Sequence, residues 1–122
     1  MIAVVDYGAG NLASVANALD HIGAPVIISS DRREIERADG VIVPGVGAAA
    51  DTMGHLTALE LTDVIRDVIR RGTPYLGICM GMQVLLTRSY EGGEHPCLDI
   101  IPGSVRHFAE GLPIPHMGWN QV

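Results

Sequence analysis

The sequence predicts an α/β fold in which a mostly parallel sheet carries helices on both faces, and three observations lead to it. Several short runs are apolar at every position, as is typical of strands buried on both sides. Segments with apolar residues at helical spacing separate these runs. Glycines, fifteen in all, gather where the apolar runs stop, as they do in tight strand-to-helix connections.

The first strands and helices follow in this order. A strand over residues 2–6 leads into a helix that has Asn11 as its predicted N-cap and Gly23 as its stop. A second strand covers residues 26–28. Asp31, with a glutamate three residues later, then predicts a capping box and a short helix.

The middle of the chain continues the alternation of strands and helices. A third strand over residues 40–44 opens into a glycine-rich loop, and the next helix carries an apolar stripe that ends at Gly72. A fourth strand covers residues 75–78, and a fourth helix is predicted to start over residues 82–86. Such alternation is the pattern of a parallel sheet.

The pattern changes after about Thr87. We expect a loop at residues 91–94, a turn at 100–103 and a short strand at 105–108, followed by irregular structure. The sequence shows no internal repeat and no linker. Residues 1–122 therefore constitute a single domain or the N-terminal portion of one.

Composition excludes several classes of protein. The net charge is −6, with eight basic against fourteen acidic side chains and no basic cluster, which argues against a nucleic-acid partner. No apolar run approaches the roughly 20 residues of a membrane helix, and no signal-peptide pattern precedes the first strand. Two cysteines without close spacing predict neither a metal site nor a disulfide, so we expect a cytoplasmic protein without a cofactor.

Cys79 has the most informative setting in the chain. The fourth strand ends in Gly-x-Cys-x-Gly, with Gly77 and Gly81 on either side of the cysteine, and a helix is predicted to follow at once. This is the nucleophile-elbow pattern, in which a sharp turn holds the nucleophile at the end of a strand. The free N–H groups of the helix N-terminus favour the thiolate that attacks carbonyls. The alternative is a buried cysteine that packs as a small apolar residue.

A glycine-rich loop at residues 44–47 ends the third strand, on the same sheet edge as Cys79. Attack on an amide carbonyl creates an oxyanion that needs N–H donors. The residue after the nucleophile, Met80, is one predicted donor, and this loop is a source for the second. Considered without the Cys79 elbow, this loop is equally well explained as a tight connection between a strand and a helix.

A competing motif follows the first strand. Gly8, Gly10 and Ala13 fit the relaxed dinucleotide fingerprint Gly-x-Gly-x-x-Ala, and Asp31 lies where a ribose-binding acid would be expected. Against it, Asn11 and Leu12 within this stretch fit helix capping and core packing equally well, and Asp31 fits helix capping. A dinucleotide-binding fold would also leave the Cys79 elbow unexplained.

Residues 77–83, Gly-Ile-Cys-Met-Gly-Met-Gln, resemble the nucleophile motif of class I (triad) glutamine amidotransferases. Three further stretches narrow the resemblance: Asp-Tyr-Gly-Ala-Gly-Asn-Leu at 6–12, Pro-Gly-Val-Gly at 44–47 and Pro-His-Met-Gly-Trp-Asn at 115–120. Together they resemble the glutaminase subunits of imidazole glycerol phosphate synthases, across the whole chain. The resemblance implies a flavodoxin-like amidotransferase domain.

The resemblance also implies a mechanism. The thiolate of Cys79 would attack the side-chain amide of L-glutamine and release ammonia, and water would then release glutamate. Gly45 and Gln83 match positions that bind the substrate, while Gly47 and Met80 match the oxyanion hole. No metal or cofactor is implied.

A heterodimer with a cyclase subunit is the implied assembly. The implied cyclase is a (βα)8 barrel. Ammonia would pass into it and join a phosphoribulosyl-formimino intermediate in histidine biosynthesis. The residues that match the contact between glutaminase and cyclase are Asn11, Met117, Gly118, Trp119 and Asn120.

One departure from the family pattern concerns the catalytic base. The family completes its triad with a downstream His-x-Glu pair, and none of the five histidines here is followed by one. His116, a conceivable substitute, belongs to the stretch that matches the partner contact. We therefore expect a chain that lacks the C-terminal part of the domain and is inactive alone. The alternatives are a non-catalytic binding module of the same fold and a different cysteine hydrolase.

Overall fold

The main sheet positions the site, and its topology agrees with the predicted fold class. The computed structural model describes residues 1–121. The parallel strands are β1 (Ile2–Val5), β2 (Val26–Ser29), β3 (Gly40–Val43) and β4 (Tyr75–Gly77), in the order β2-β1-β3-β4. This is the flavodoxin-like order, in which ligands bind beyond the carboxyl ends of the strands.

Helices cover both faces of this sheet. They are α1 (Leu12–His21), α2 (Arg32–Arg37), α3 (Ala49–Ala58), α4 (Leu61–Arg70) and α5 (Met80–Gln83). The sequence did not predict α3, whose core face contains only three buried side chains: Ala49, Thr52 and Leu56. Among residues 1–121, no helix is long and apolar enough to cross a membrane.

Alternation along the strands divides the core in two. In β3, Ile42 packs with Val4 and Leu19 of α1 on one face, while Val41 and Val43 join a larger cluster on the other. Successive strand side chains point to opposite faces, so a wholly apolar strand needs helices on both sides.

The predicted helix caps are confirmed. The Asn11 side chain accepts a hydrogen bond from the Ser14 N–H (3.1 Å), and that of Asp31 accepts from the Arg33 and Glu34 N–H groups (2.8 and 3.1 Å). The carboxylate of Glu34 accepts a hydrogen bond from the Ser29 hydroxyl instead of completing the capping box. Asp31 is thus engaged by its own helix, as the capping interpretation required.

The chain after Cys79 differs from the prediction. A helix follows the elbow as predicted, but α5 ends at Gln83, so its predicted extent over residues 82–86 was wrong. A second sheet follows, formed by β5 (Leu86–Ser89), β6 (His95–Pro96) and β7 (Ile101–Val105) in the order β6-β5-β7. It is mixed, because β6 is antiparallel and β7 parallel to β5.

The predicted turn at 100–103 and the predicted strand at 105–108 were also wrong. Residues 101–105 form β7, in spite of Pro102 and Gly103. β7 is an edge strand, where a proline without an N–H is tolerated, and its register with β5 shifts between Leu86 and Arg88. The proline and glycine therefore mark an irregularity within a strand rather than its end.

Candidate active site

The turn at Cys79 has the strained geometry that the elbow motif predicts. β4 ends at Gly77 and α5 begins at Met80, so only two residues connect them. Cys79 has φ 54° and ψ −112°, outside the regions that a residue with a side chain normally occupies. Such a conformation costs about 1–3 kcal/mol and clusters at functional sites.

Steric contacts explain both flanking glycines. A Cβ on Gly77 would lie 2.4 Å from the Gly81 carbonyl oxygen, and a Cβ on Gly81 would lie 1.7 Å from the Val43 carbonyl oxygen. Both contacts are with backbone atoms, which a rotamer change cannot move away. The elbow thus needs glycine at both positions, as predicted.

The register between β3 and β4 brings the glycine-rich loop beside the elbow. Val43 pairs with Gly77, and the Ile78 N–H donates to the Val43 carbonyl oxygen at 3.0 Å. The loop that follows Val43 therefore leaves the sheet next to Cys79, as predicted. Within it Gly45 is buried, whereas Gly47 is exposed and has φ +93°, which favours glycine.

The backbone N–H of Met80 is suited to receive an oxyanion. The Gly81 N–H donates to the Ile78 carbonyl (3.1 Å), and those of Met82 and Gln83 donate to the Cys79 carbonyl (3.0 Å each). Met80 is the first residue of α5, and the first N–H groups of a helix have no intrahelical acceptor. This donor adjoins the nucleophile, as the sequence predicts.

The two thiols lie in different environments. Cys79 is exposed, whereas Cys97 is buried, and its burial raises the pKa of the Cys97 thiol. A buried thiol with a raised pKa is a poor nucleophile. Cys79 is therefore the accessible cysteine, and the interpretation of Cys79 as a buried apolar residue was wrong.

A cleft of about 430 Å³ opens beside α5 and contains side chains that sequence reasoning missed. Its lining includes Gln83, Glu91 and Arg106, as well as His107 and His116. The Gln83 Oε1 atom is buried and has no hydrogen-bond partner within residues 1–121. Glu91 and Arg106 lie in or beside loops, where an isolated charge usually means only solvent exposure, so the sequence contained no signal for them.

The predicted partner-contact residues fall into two groups. Asn11 caps α1 at the end of a loop that packs against the glycine-rich loop, since a Cβ on Gly10 would lie 3.3 Å from Pro44 Cβ. The stretch at 117–120 is exposed, with Met117 at 84% and Trp119 completely accessible. No part of residues 1–121 buries Trp119.

Comparisons with known proteins agree with this geometry. The chain is 50% identical over 122 residues to the imidazole glycerol phosphate synthase subunit HisH of Herpetosiphon aurantiacus, and 53% identical over 121 residues to that of Moorella thermoacetica. These alignments cover 100% and 99% of this chain but 58% of each relative, so the chain spans little more than half their length.

Two solved structures share the fold. One, titled as a glutamine amidotransferase, superimposes with a TM-score of 0.71 at 20% identity, over 85% of this chain and 55% of the other. A putative peptidase E protein from Listeria monocytogenes gives 0.67 at 13% identity, over 82% and 62%. The pattern of the family "Glutamine amidotransferase class-I" matches residues 3–122, and the chain therefore belongs to the class I glutamine amidotransferases.

Proposed function

We propose that this chain is the nucleophile-bearing part of the glutaminase subunit of an imidazole glycerol phosphate synthase. The observation that carries the proposal is the strained, exposed Cys79 beside the glycine-rich loop that follows β3. The relatives that are about half identical over the whole chain have the same subunit name. The site would act in the cytoplasm and without a cofactor.

The proposed reaction begins at the Cys79 thiolate, which attacks the side-chain carbonyl carbon of glutamine. A C–S bond forms and the carbonyl π electrons move to the oxygen. The carbonyl then re-forms as the C–N bond breaks, and the departing nitrogen takes up a proton from solvent, equivalent to the one that the thiol lost, so that ammonia and a glutamyl thioester result. Water hydrolyses the thioester to glutamate and the free thiol. The N–H groups of Met80 and Gly47 would stabilise the oxyanion, each contributing on the order of 10²–10³ in rate.

The cleft beside α5 has the chemistry of a site for an α-amino acid. Glu91 supplies a carboxylate for the α-ammonium group, and Arg106 supplies a guanidinium for the α-carboxylate. Gln83 lines the cleft one helical turn from Cys79, and its side-chain amide would hydrogen-bond to the substrate. Gly45 has no side chain and would act through its main chain; a Cβ at this position would collide with Tyr7 and Met80.

The proposed partner is the cyclase subunit, in a heterodimer that receives the ammonia. Asn11 lies on the loop that packs against Pro44, close to the oxyanion side of the site. Met117, Gly118, Trp119 and Asn120 offer an exposed, partly apolar surface. Tryptophan is enriched among the residues that dominate binding at protein interfaces.

A chloroketone analogue of glutamine tests this proposal without requiring turnover. The Cys79 thiolate would displace chloride and form a stable thioether, which peptide mapping locates. We expect labelling at Cys79 that L-glutamine slows and D-glutamine does not, with weaker protection in Glu91→Gln. Labelling of Cys79 that L-glutamine leaves unchanged would favour a non-catalytic binding module or another cysteine hydrolase.

Turnover is a separate matter, since the sequence contains no His-x-Glu pair. A missing triad member typically costs about 10⁴–10⁶ in rate. We therefore propose that the chain alone releases no measurable ammonia from glutamine. Glutaminase activity that Cys79→Ala abolishes would show that a base is present among these residues.

A further inference from the structure

Tyr7 contacts the loop that contains one proposed oxyanion donor and lies close to Met80, the other. It is the second residue after β1 and is 1% exposed. Its hydroxyl donates a buried hydrogen bond of 2.7 Å to the carbonyl oxygen of Pro44, the first residue of the glycine-rich loop. The loop is thus attached, at its start, to the end of a central strand.

The same hydroxyl lies under Gly45. A Cβ at Gly45 would be 2.6 Å from the Tyr7 oxygen and 2.7 Å from Met80 Cβ. Tyr7 and Met80 therefore approach the loop around a single point, where only a glycine fits. Burial raises the pKa of Tyr7, so the phenol keeps its proton and remains a donor at neutral pH.

We propose that Tyr7 is a positioning residue that sets the spacing between the loop at Pro44–Gly47 and the elbow at Met80. The inference rests on the proposed function, because it assigns Tyr7 to the oxyanion site of that reaction. Tyr7 acts through the Pro44 carbonyl, which fixes where the loop begins, and through contact with Gly45. A loose carbonyl would let the second donor move away from the first, and oxyanion stabilisation depends on donors that are already in place.

Two reagents separate this role from stability. 4-Nitrophenyl acetate acylates the Cys79 thiolate through a tetrahedral oxyanion: a bond forms between the sulfur and the acyl carbon, the bond between the acyl carbon and the ester oxygen breaks, and 4-nitrophenolate leaves. Iodoacetamide alkylates the same thiolate by displacing iodide at a saturated carbon, with no oxyanion. The ratio of the two rate constants, measured on the same chain at one pH with Cys79→Ala as the blank, reports oxyanion stabilisation alone.

Tyr7→Phe keeps the ring and removes only the hydroxyl. We expect its acylation rate to fall at least tenfold while its alkylation rate stays within twofold of the parent chain. Ile65→Val, a buried change on α4, is the control for lost stability and should leave the ratio unchanged. Circular dichroism melts show whether the two variants are comparably destabilised.

The other outcomes contradict the inference in distinguishable ways. If the parent chain has an elevated ratio and Tyr7→Phe retains it, Tyr7 has no positioning role and the proposed function stands. If both rates fall together in Tyr7→Phe, the residue supports the fold rather than the donors. A parent ratio equal to that of N-acetylcysteine would overturn the proposed oxyanion site, and the role of Tyr7 with it.

Discussion

The substitution Gly81→Ala gives the sharpest test of the elbow. The new Cβ would lie 1.7 Å from the Val43 carbonyl oxygen, whereas contacts under 3.0 Å essentially never occur, so this separation would have to grow by about 1.3 Å. The Ile78 N–H donates to the same oxygen, and the movement would break that bond at a cost of about 1 kcal/mol. Overpacking adds about 1–3 kcal/mol. We expect the free energy of unfolding to fall by about 2–4 kcal/mol.

Urea denaturation followed by circular dichroism measures this loss, because the single tryptophan is fully exposed and would report little of the core. A loss of this size lowers the urea midpoint by about 1–2 M. The matched control is Gly54→Ala on α3, where an added Cβ meets nothing within 4 Å. It should raise stability by about 0.5–1 kcal/mol. Equal behaviour of the two variants would refute the account of the elbow.

Three further outcomes are expected. Iodoacetamide should alkylate Cys79 at lower pH than Cys97, whose pKa is raised by burial, and equal pH profiles in peptide mapping would show that the elbow is not formed. Burial also raises the pKa of Tyr75. The protonated phenol therefore contributes to stability fully below the ordinary tyrosine pKa of about 10, and this contribution is lost as the pH rises above that value. Above pH about 10 the melting temperature of Tyr75→Phe should fall less steeply with pH than that of the parent chain, and identical slopes would contradict this. β4 is an edge strand of the main sheet, and its Leu76 side chain is 54% exposed. We therefore expect the chain to self-associate and Leu76→Lys to reduce this association. Sedimentation of the parent chain as a stable monomer would argue against it.

The sequence predicted the sheet and the elbow because both depend on local signals. Strands buried on two faces are apolar throughout, and their alternation with helices indicates a parallel sheet. The helix caps are similarly local, and Asn11 and Asp31 fulfil the roles predicted for them. Where a local backbone requirement is met by a single type of residue, the sequence pattern is sufficient to predict the structure.

The second sheet could not be predicted in the same way. β7 pairs with β5 in an irregular register, and this pairing overrides the turn preference of Pro102 and Gly103. The cleft has the same difficulty, because it is the fold of this region that brings Glu91 and Arg106 to the same cleft as Gln83. Neither feature leaves a periodic pattern in a single sequence.

The elbow could be predicted from the sequence and the cleft could not, because the two parts of the site are built differently. The nucleophile and its proposed donors lie where the chain packs so closely that only glycine fits. At Gly77 and Gly81 a Cβ would come within 2.4 Å of backbone atoms, and at Gly45 it would come within 2.7 Å of the Tyr7 and Met80 side chains. Such positions appear in the sequence as fixed glycines around one cysteine. The proposed substrate contacts use long side chains at the cleft, which many backbones could present. The sequence therefore indicates the proposed reaction class through these glycines, whereas the proposed contacts of Glu91 and Arg106 with the substrate can be identified only in the folded structure.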